Sequence, residues 1–343
     1  MAEDQGTSVD TSTAPQQLLQ MMTGYWVSQG VYVAAKLGIA DLLAAGPVHY
    51  EDLAGKTHTH APSLYRIVRA LASVGVFVEL DAGHFALTPM ASLLQTAVPN
   101  SMRALAIMYG EEQYRAWGSL LQSVRTGQPA FDRQFGMDVF EYFRQNPEAG
   151  AIFNEAMTNW TTQASAAVAA TYDFSRFGSM IDVGGNQGTL LATILRQYPT
   201  ARGALFDLPH VVATAKDHLA KAGVDNRCTI LGGDFFKAVP SGGDAYLLSY
   251  VLHDWDDERC VAILAQCRKA IAPNGTLLVI EMVLPEGNEP SFGKWLDLHV
   301  LVMASGRERT AEQYRALLLV GGFNLQRLIP TPAGSSIVEA TPA

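Results

Sequence analysis

After Phe174 the chain alternates short apolar runs with amphipathic stretches, and this alternation constrains its fold more than any other feature. The apolar runs lie at 180–184, 203–207, 228–231, 245–252 and 276–282, with helical periodicity at 190–198, 211–221 and 258–271 between them. Apolar strands separated by helices predict a parallel sheet, because parallel neighbours need a long crossover and an all-apolar strand needs cover on both faces. Two later runs, 323–329 and 335–340, are joined by Pro330-Thr331-Pro332-Ala333-Gly334 and predict an antiparallel hairpin at the sheet edge.

The first hundred residues follow another pattern. Helical spacing runs through 16–36 and through 61–74, where Leu64, Ile67, Val68 and Leu71 share a face, with short helical pieces at 39–43 and 50–54. The runs 76–80 and 84–87 flank Asp81-Ala82-Gly83, a hairpin signal. Helices followed by a small β-wing predict a winged helix. Such folds often bind DNA, but here Lys36, Lys56, Arg66 and Arg69 stand against eight acids, a net charge of −4 for residues 1–100. The whole-chain charge of −9 agrees, since a protein that neutralises phosphates carries a basic footprint, so nucleic acid is not an expected partner. The first long helix carries Leu18, Met21, Met22, Tyr25 and Val33 with no partner in its own domain, which predicts a homodimer interface.

A length of 343 residues accommodates about two domains. The expected organisation is a disordered polar leader at 1–15, the winged helix at 16–100, a helical connector at 101–173 and the sheet domain at 174–343. Cys228, Cys260 and Cys267 are too few for a disulfide framework, and no CxxC pair suggests structural zinc. No apolar run reaches the roughly 18 residues of a bilayer span, and the start lacks the order of a signal peptide. A cytoplasmic protein with no membrane partner is expected.

The strand at 180–184 runs into Gly184-Gly185-Asn186-Gln187-Gly188 and then a helix. A glycine turn there lets a ligand approach the backbone at the positive end of the helix. The dinucleotide fingerprint needs glycine at its first, third and sixth positions; here these are Gly184, Asn186 and Thr189, which disfavours nicotinamide or flavin. Asp207 ends the next strand, 19 residues beyond Gly188, where a carboxylate can accept ribose hydroxyls. Asp234 follows the third strand in Gly232-Gly233-Asp234-Phe235-Phe236, an acid and an aromatic suited to an adenine. Either acid alone reads as well as a turn cap; a glycine loop with two acids on consecutive strand ends favours a nucleoside.

With His253-Asp254-Trp255 and Gly306-Arg307-Glu308-Arg309-Thr310, these make five motifs in order. Together they resemble the class I S-adenosylmethionine-dependent small-molecule O-methyltransferases of the caffeate and acetylserotonin type, including bacterial natural-product members, over nearly the whole chain after residue 15. The resemblance implies an α/β fold: a Rossmann-like methyltransferase sheet, mostly parallel with an antiparallel C-terminal hairpin, and an α-helical winged-helix dimerisation domain before it. It implies S-adenosylmethionine as cofactor and S-adenosylhomocysteine as product. Gly184 would meet the methionine moiety, Asp207 the ribose, and Asp234 with Phe235 the adenine; Leu208 and Ser249 are further cofactor candidates. Asn186 departs from the glycine often found in such loops, but asparagine tolerates left-handed angles, so the loop is expected to survive.

The strand 245–252 is expected to deliver His253 at its carboxyl end, where open α/β sheets bind ligands. Methyl transfer to a hydroxyl needs a nucleophile stronger than a neutral phenol, and a neutral imidazole beside it can take the proton as attack proceeds. The sulfonium is already activated, so no metal is expected, and no His/Asp/Glu spacing resembles a metal site; alignment supplies the rest. Glu281 and Glu308 match the family acids that bracket the base, a carboxylate fixing the imidazole's tautomer. Asp254 and Asp256 read as a solvated face and a helix cap, with Asp254 also counted on the acceptor side. For a small aromatic acceptor, Phe153, Met157 and Trp160 recur at helical spacing, and Trp295, His299 and Met303 come from a late helix. Such a Met- and aromatic-lined wall suits a flat ring. The resemblance also implies that Tyr25 or Trp26 closes the pocket of the other subunit.

The expected function is therefore S-adenosylmethionine-dependent methyl transfer to a phenolic hydroxyl, with His253 as general base. Two alternatives remain open. One is a hydroxylase or decarboxylase diverted from the same scaffold, with no need of a base at 253. The other is a winged-helix regulator that senses the cofactor, against which the acidic recognition region speaks.

Overall fold

The computed structural model describes residues 13–81 and 83–343. Residues 1–12 of the expected leader, and Ala82 of the wing turn, lie outside the described residues. Two compact units divide after Glu112.

In the first unit a helix occupies Ala14–Lys36, so the end of the expected leader is already helical. Pro15 suits that first turn, where its fixed φ and missing N–H carry no penalty. The helices Ile39–Leu42, Tyr50–Thr57 and Ala61–Ser73 follow. Strands β1 (Val48–His49), β2 (Phe77–Glu79) and β3 (His84–Leu87) form an antiparallel sheet in the order β1-β3-β2. The wing thus gains a strand beyond the expected hairpin, because two residues are too few to leave a periodicity. Leu53, Leu64, Val68, Phe77 and Phe85 form the core. Leu18, Leu19, Met21, Met22, Tyr25 and Trp26 on the first helix are each at least 51% exposed. Beside them lies a groove of about 550 Å³ lined by Trp26, Gly30, Arg66, Ile67, Leu71 and Val74.

The second unit is built on a seven-stranded sheet. Its strands are β4 (Ser179–Val183), β5 (Arg202–Asp207), β6 (Cys228–Gly232), β7 (Ala245–Ser249), β8 (Thr276–Glu281), β11 (Phe323–Pro330) and β12 (Ser336–Pro342). The short strands β9 (Val283–Leu284) and β10 (Arg309–Thr310) pair with each other in parallel. The large sheet runs β11-β12-β8-β7-β4-β5-β6, parallel from β8 to β6 and antiparallel through the C-terminal hairpin. Successive side chains of a strand point to opposite faces. Accordingly Leu278 and Ile280 join one core cluster with the helix Thr189–Gln197, while Leu277 and Val279 join the other with Asp257–Ala270 and Ala311–Val320. Chain order reverses at β4, flanked by β5 and β7, and the carboxyl edge there is where such sheets place ligands.

One expectation is corrected, in β7. Within the expected connector at 101–173 the chain is largely helical, and the helix Arg103–Gly110 falls in the first unit. The helix Pro147–Thr171 belongs to the second and sends Val168 and Ala169 into the sheet's core. The strand expected at 245–252 ends at Ser249; Tyr250 turns left-handed at φ 53°, and Leu252–Asp254 forms a 3₁₀ turn. His253 therefore rides on a turn rather than on a strand end. Among the described residues no helix is long and apolar enough to cross a membrane.

Buried Tyr246 in β7 ties two loops beneath the sheet, its hydroxyl lying 2.9 Å from the Pro240 carbonyl and 3.0 Å from that of Ala270. Tyr246→Phe is expected to cost about 1–2 kcal/mol by leaving a carbonyl unpaired. Urea unfolding checks this, and an unchanged midpoint would contradict it.

Candidate active site

The loop after β4 can only be built with its glycines. Gly184 and Gly188 take left-handed angles, and Asn186 does so too at φ 52°, as its side chain permits. A Cβ on Gly184 would lie 2.8 Å from Val251 Cγ2, and one on Gly185 would lie 2.6 Å from the Asp182 carboxylate. Gly188 then caps the helix Thr189–Gln197. Asp207 joins this loop: its Oδ2 accepts the Asn186 N–H at 2.9 Å and its Oδ1 the Leu208 N–H at 2.6 Å. Burial raises the Asp207 carboxyl above its usual value, against the pull of those amides. The Phe235 ring comes within 3.5 Å of the Gly184 Cβ position, so the aromatic after β6 meets the glycine loop. Asp234 caps its own turn, accepting the Phe236 N–H at 3.0 Å, with Lys237 Nζ 3.3 Å away. The Leu208 side chain is exposed, and Ser249 ends β7 beside Ile280 of β8.

Asp182 is a site residue that sequence reasoning passed over, although it opens the loop motif. Neither of its buried carboxylate oxygens has a hydrogen-bond partner. Burial, then the Asp207 charge, pushes its carboxyl up to about 7 despite an opposing pull from the Leu191 amide.

At the neighbouring strand ends an imidazole sits among acids. His253 Nδ1 lies 2.7 Å from Glu308 Oε1 and 3.9 Å from Glu281 Oε2, while its Nε2 lies 3.6 Å from Asp254 Oδ1. The His253 side chain is 13% exposed, and both glutamates are buried. Burial alone would lower its proton affinity, but Glu281, Asp254 and Glu308 outweigh burial and push the imidazole up to about 10. These acids favour the protonated ring and so strengthen it as a holder of a proton. Asp254, 32% exposed, lies beside the ring as well as facing solvent, and its carboxyl is raised by burial. Asp256 does cap the helix Asp257–Ala270, accepting the Arg259 N–H at 2.8 Å.

The two glutamates act on different parts of the turn. Glu308 meets the ring, whereas Glu281 Oε1 accepts the Val251 and Leu252 N–H groups at 3.1 and 2.9 Å. Burial pushes the Glu281 carboxyl up to about 7. Buried Arg309 donates to the carbonyls of Leu252 and Trp255 at 3.0 Å each and to Asp257 at 2.8 Å. The Glu308 N–H donates to Asp297 at 2.9 Å. Ligand atoms of His253, Glu281 and Glu308 lie within 4.8 Å of one another, a set with the composition of a small metal site that residue spacing did not reveal.

On the acceptor side, Phe153, Met157 and Trp160 are half-buried on one helix. Phe153 stacks on Phe143 at 4.6 Å, and Trp160 lies 5.6 Å from the Phe292 ring. Met303 sits in the core with Phe131 and Val139, and Trp295 is 66% exposed. The Trp117 indole, which can only donate, gives its N–H to His299 Nδ1 at 2.9 Å, leaving the His299 proton on Nε2. Burial, then the His253 charge, lowers His299 to about 4, so it stays neutral. Tyr250, hidden inside an apolar run of the sequence, places its ring 5.7 Å from that of His253.

Gly306 packs against the His253 turn so closely that a Cβ there would overlap the His253 carbonyl and the Asp254 backbone. Gly306→Ala is expected to lower stability by about 1–3 kcal/mol and to displace the ring. Denaturant unfolding is the check, and a parental midpoint would contradict the packing.

Comparison with known proteins shows the family. The O-methyltransferase domain family matches residues 117–324, and the O-methyltransferase dimerisation domain family matches 19–97. The phenazine O-methyltransferase PhzM of Lysobacter antibioticus is 54% identical over 325 residues, covering 95% of each chain. A phenazine-1-carboxylate N-methyltransferase of Pseudomonas aeruginosa is 34% identical over 330 residues, covering 96% of this chain and 98% of the relative. The crystal structure of human N-acetylserotonin methyltransferase in complex with S-adenosylmethionine superposes with a TM-score of 0.90 at 30% identity, covering 98% of this chain and 99% of that one. The chain belongs to the O-methyltransferase domain family of S-adenosylmethionine-dependent methyltransferases and carries that family's dimerisation domain.

Proposed function

We propose that this enzyme methylates a hydroxyl on a small aromatic natural product of phenazine-like size and that it works as a homodimer. The observation that carries the choice of oxygen is the acid-walled imidazole at the carboxyl edge of the sheet. A ring hydroxyl must lose a proton to become a strong nucleophile, and His253 is built to hold one. An amine attacks through a lone pair it already has and gains less from such a group. The same cluster disfavours a diverted hydroxylase or decarboxylase. The exposed apolar face of the first helix supports the dimer.

The residues present fit the cofactor. A Cβ at Gly184 would press on Val251 Cγ2, so bare backbone stands there, and the buried Asp182 carboxylate below Gly185, with neither oxygen paired, suits a ligand bearing positive charge. We assign Gly184 to the methionine end, Asp207 and Leu208 to the ribose and Asp234 with Phe235 to the adenine, with Ser249 alongside. When bound, the cofactor supplies a methyl group activated on a sulfonium. The chain supplies the rest. His253 keeps the acceptor's proton on its imidazole in the reactive complex, Glu308 fixes the ring through Nδ1, and Glu281 and Arg309 fix the turn that carries it. Phe153, Met157, Trp160 and His299 bound the acceptor. Met303 supports that wall from the core, and Asp254 lies beside Nε2. The 2.7 Å contact between Nδ1 and Glu308 is closed by a proton, and Glu281 Oε1 is committed to two amides, so we read the cluster as proton-sharing rather than metal-binding.

His253→Ala is expected to lower kcat by about 10²–10⁴-fold with cofactor affinity nearly unchanged. Asp207→Ala is expected to weaken cofactor binding by about 10–100-fold in calorimetry. Turnover of a panel of phenols and aryl amines with labelled S-adenosylmethionine, with and without chelator, tests the whole reading. It predicts transfer to hydroxyls that survives chelation; exclusive transfer to nitrogen, or parental turnover in His253→Ala, would overturn it.

A further inference from the structure

Tyr250 leaves the pattern of its own strand. Side chains along β7 alternate, and Tyr246 and Leu248 both enter the core cluster shared with the helices Asp257–Ala270 and Ala311–Val320. Continued alternation would send Tyr250 after them. Instead its backbone turns left-handed at φ 53° while its N–H still bonds the Ile280 carbonyl at 3.0 Å, and Val251 and Leu252 fill the cluster in its place. A left-handed backbone is costly for an aromatic residue. Such strain persists where the surroundings enforce it, and it gathers at functional sites.

The turn delivers the side chain to the acceptor side. The Tyr250 ring lies 5.7 Å from the His253 ring, inclined at 59°. Burial pushes its phenol up to about 12, the Glu281 and Glu308 charges add to the rise, and hydrogen bonding from the Ser335 hydroxyl and the Trp160 indole opposes it. The phenol therefore stays neutral and joins three elements: the His253 turn, the helix Pro147–Thr171 that carries Trp160, and the tip of the C-terminal hairpin. That tip is anchored. Ser335 is fully buried, and its carbonyl accepts the Thr331 N–H at 2.8 Å and the Thr331 hydroxyl at 2.9 Å. Trp160 is only half-buried, and its aromatic neighbour Phe292, 5.6 Å away, is 51% exposed, so the indole depends on the phenol for its place.

We propose, resting on the methyl-transfer reading above, that Tyr250 is the positioning residue of the acceptor site: its hydroxyl pins the Trp160 indole to the hairpin tip and so fixes how far the aromatic wall stands from His253. An acceptor lies against that wall, and its hydroxyl reaches the base when ring width and wall setting match. Two or more fused rings fill the space, whereas a single ring leaves part of the wall wet. Tyr250 thus favours fused-ring hydroxyls over single-ring ones, acting through Trp160 rather than on the proton.

The test uses the full chain saturated with S-adenosylhomocysteine, with 1-naphthol and phenol as probes whose binding is followed by calorimetry, and turnover of the same pair with S-adenosylmethionine. Tyr250→Phe keeps the ring and removes the hydroxyl. It is expected to weaken 1-naphthol binding and raise its KM by about 3–10-fold, with kcat and cofactor affinity within about twofold of the parent, the split that marks lost acceptor binding. Phenol, which meets less of the wall, is expected to lose less, so that discrimination between the two narrows. Trp160→Phe removes the partner and is expected to give the same losses, and the double variant to be no worse than either single one, because both remove one interaction. Should Tyr250→Phe fold poorly, the narrowed discrimination of Trp160→Phe carries the test. Unchanged 1-naphthol affinity, losses that multiply in the double variant, or an equal loss of cofactor affinity overturns the proposal. Binding in the expected pattern with no methyl transfer to any hydroxyl defeats the functional reading alone, and failure of the parent to bind 1-naphthol defeats both.

Discussion

Across 2.7 Å, Nδ1 of His253 gives its hydrogen to Glu308, with two more carboxylates within 4 Å of the same ring. A ring held this way in a nearly dry pocket needs every surrounding backbone group satisfied, since an unpaired amide there costs as much as a hydrogen bond gains. The turn from Val251 to Trp255 meets that demand. Its first two amides go to Glu281, two of its carbonyls go to Arg309, and Gly306 closes against it where any side chain would collide. The Gly306–Thr310 motif is thus a clamp on the His253 turn as much as a source of Glu308.

The sheet brings this clamp to the ligand edge. β4, β5, β7 and β8 run in parallel, so the glycine loop, Asp207, the His253 turn and Glu281 all follow carboxyl ends of adjoining strands. Two kinds of buried acid result. Asp182 and Asp207 lie by the loop, with both carboxyls raised by burial, and the acids around His253 raise its hold on a proton.

Much of this was legible before any coordinates. The parallel strands and their hairpin follow from period and composition; Gly184, Asp207, Phe235, His253 and Glu308 lie in the ordered motifs, and Glu281 came from the family resemblance alone. What escaped is what depends on distance between separate segments. The raised proton affinity of His253 comes from Glu281 and Glu308, 28 and 55 residues away in sequence, as well as from Asp254 beside it, so the motif by itself shows only an ordinary ring. Asp254 read as solvated because helix-capping acids adjoin it. Tyr250 vanished into an apolar run because a left-handed residue leaves no periodic trace. The strand β1 was too short to show, and the connector's two ends belong to different units because burial, not helical pattern, assigns them.

The account turns on the protonation state of one ring. A ¹⁵N NMR titration of His253 in the S-adenosylhomocysteine-bound enzyme reads that state directly. The account predicts a ring whose hold on its proton is raised above the ordinary histidine value by the three acids. A ring that titrates at the ordinary histidine value of 6.5 would contradict it.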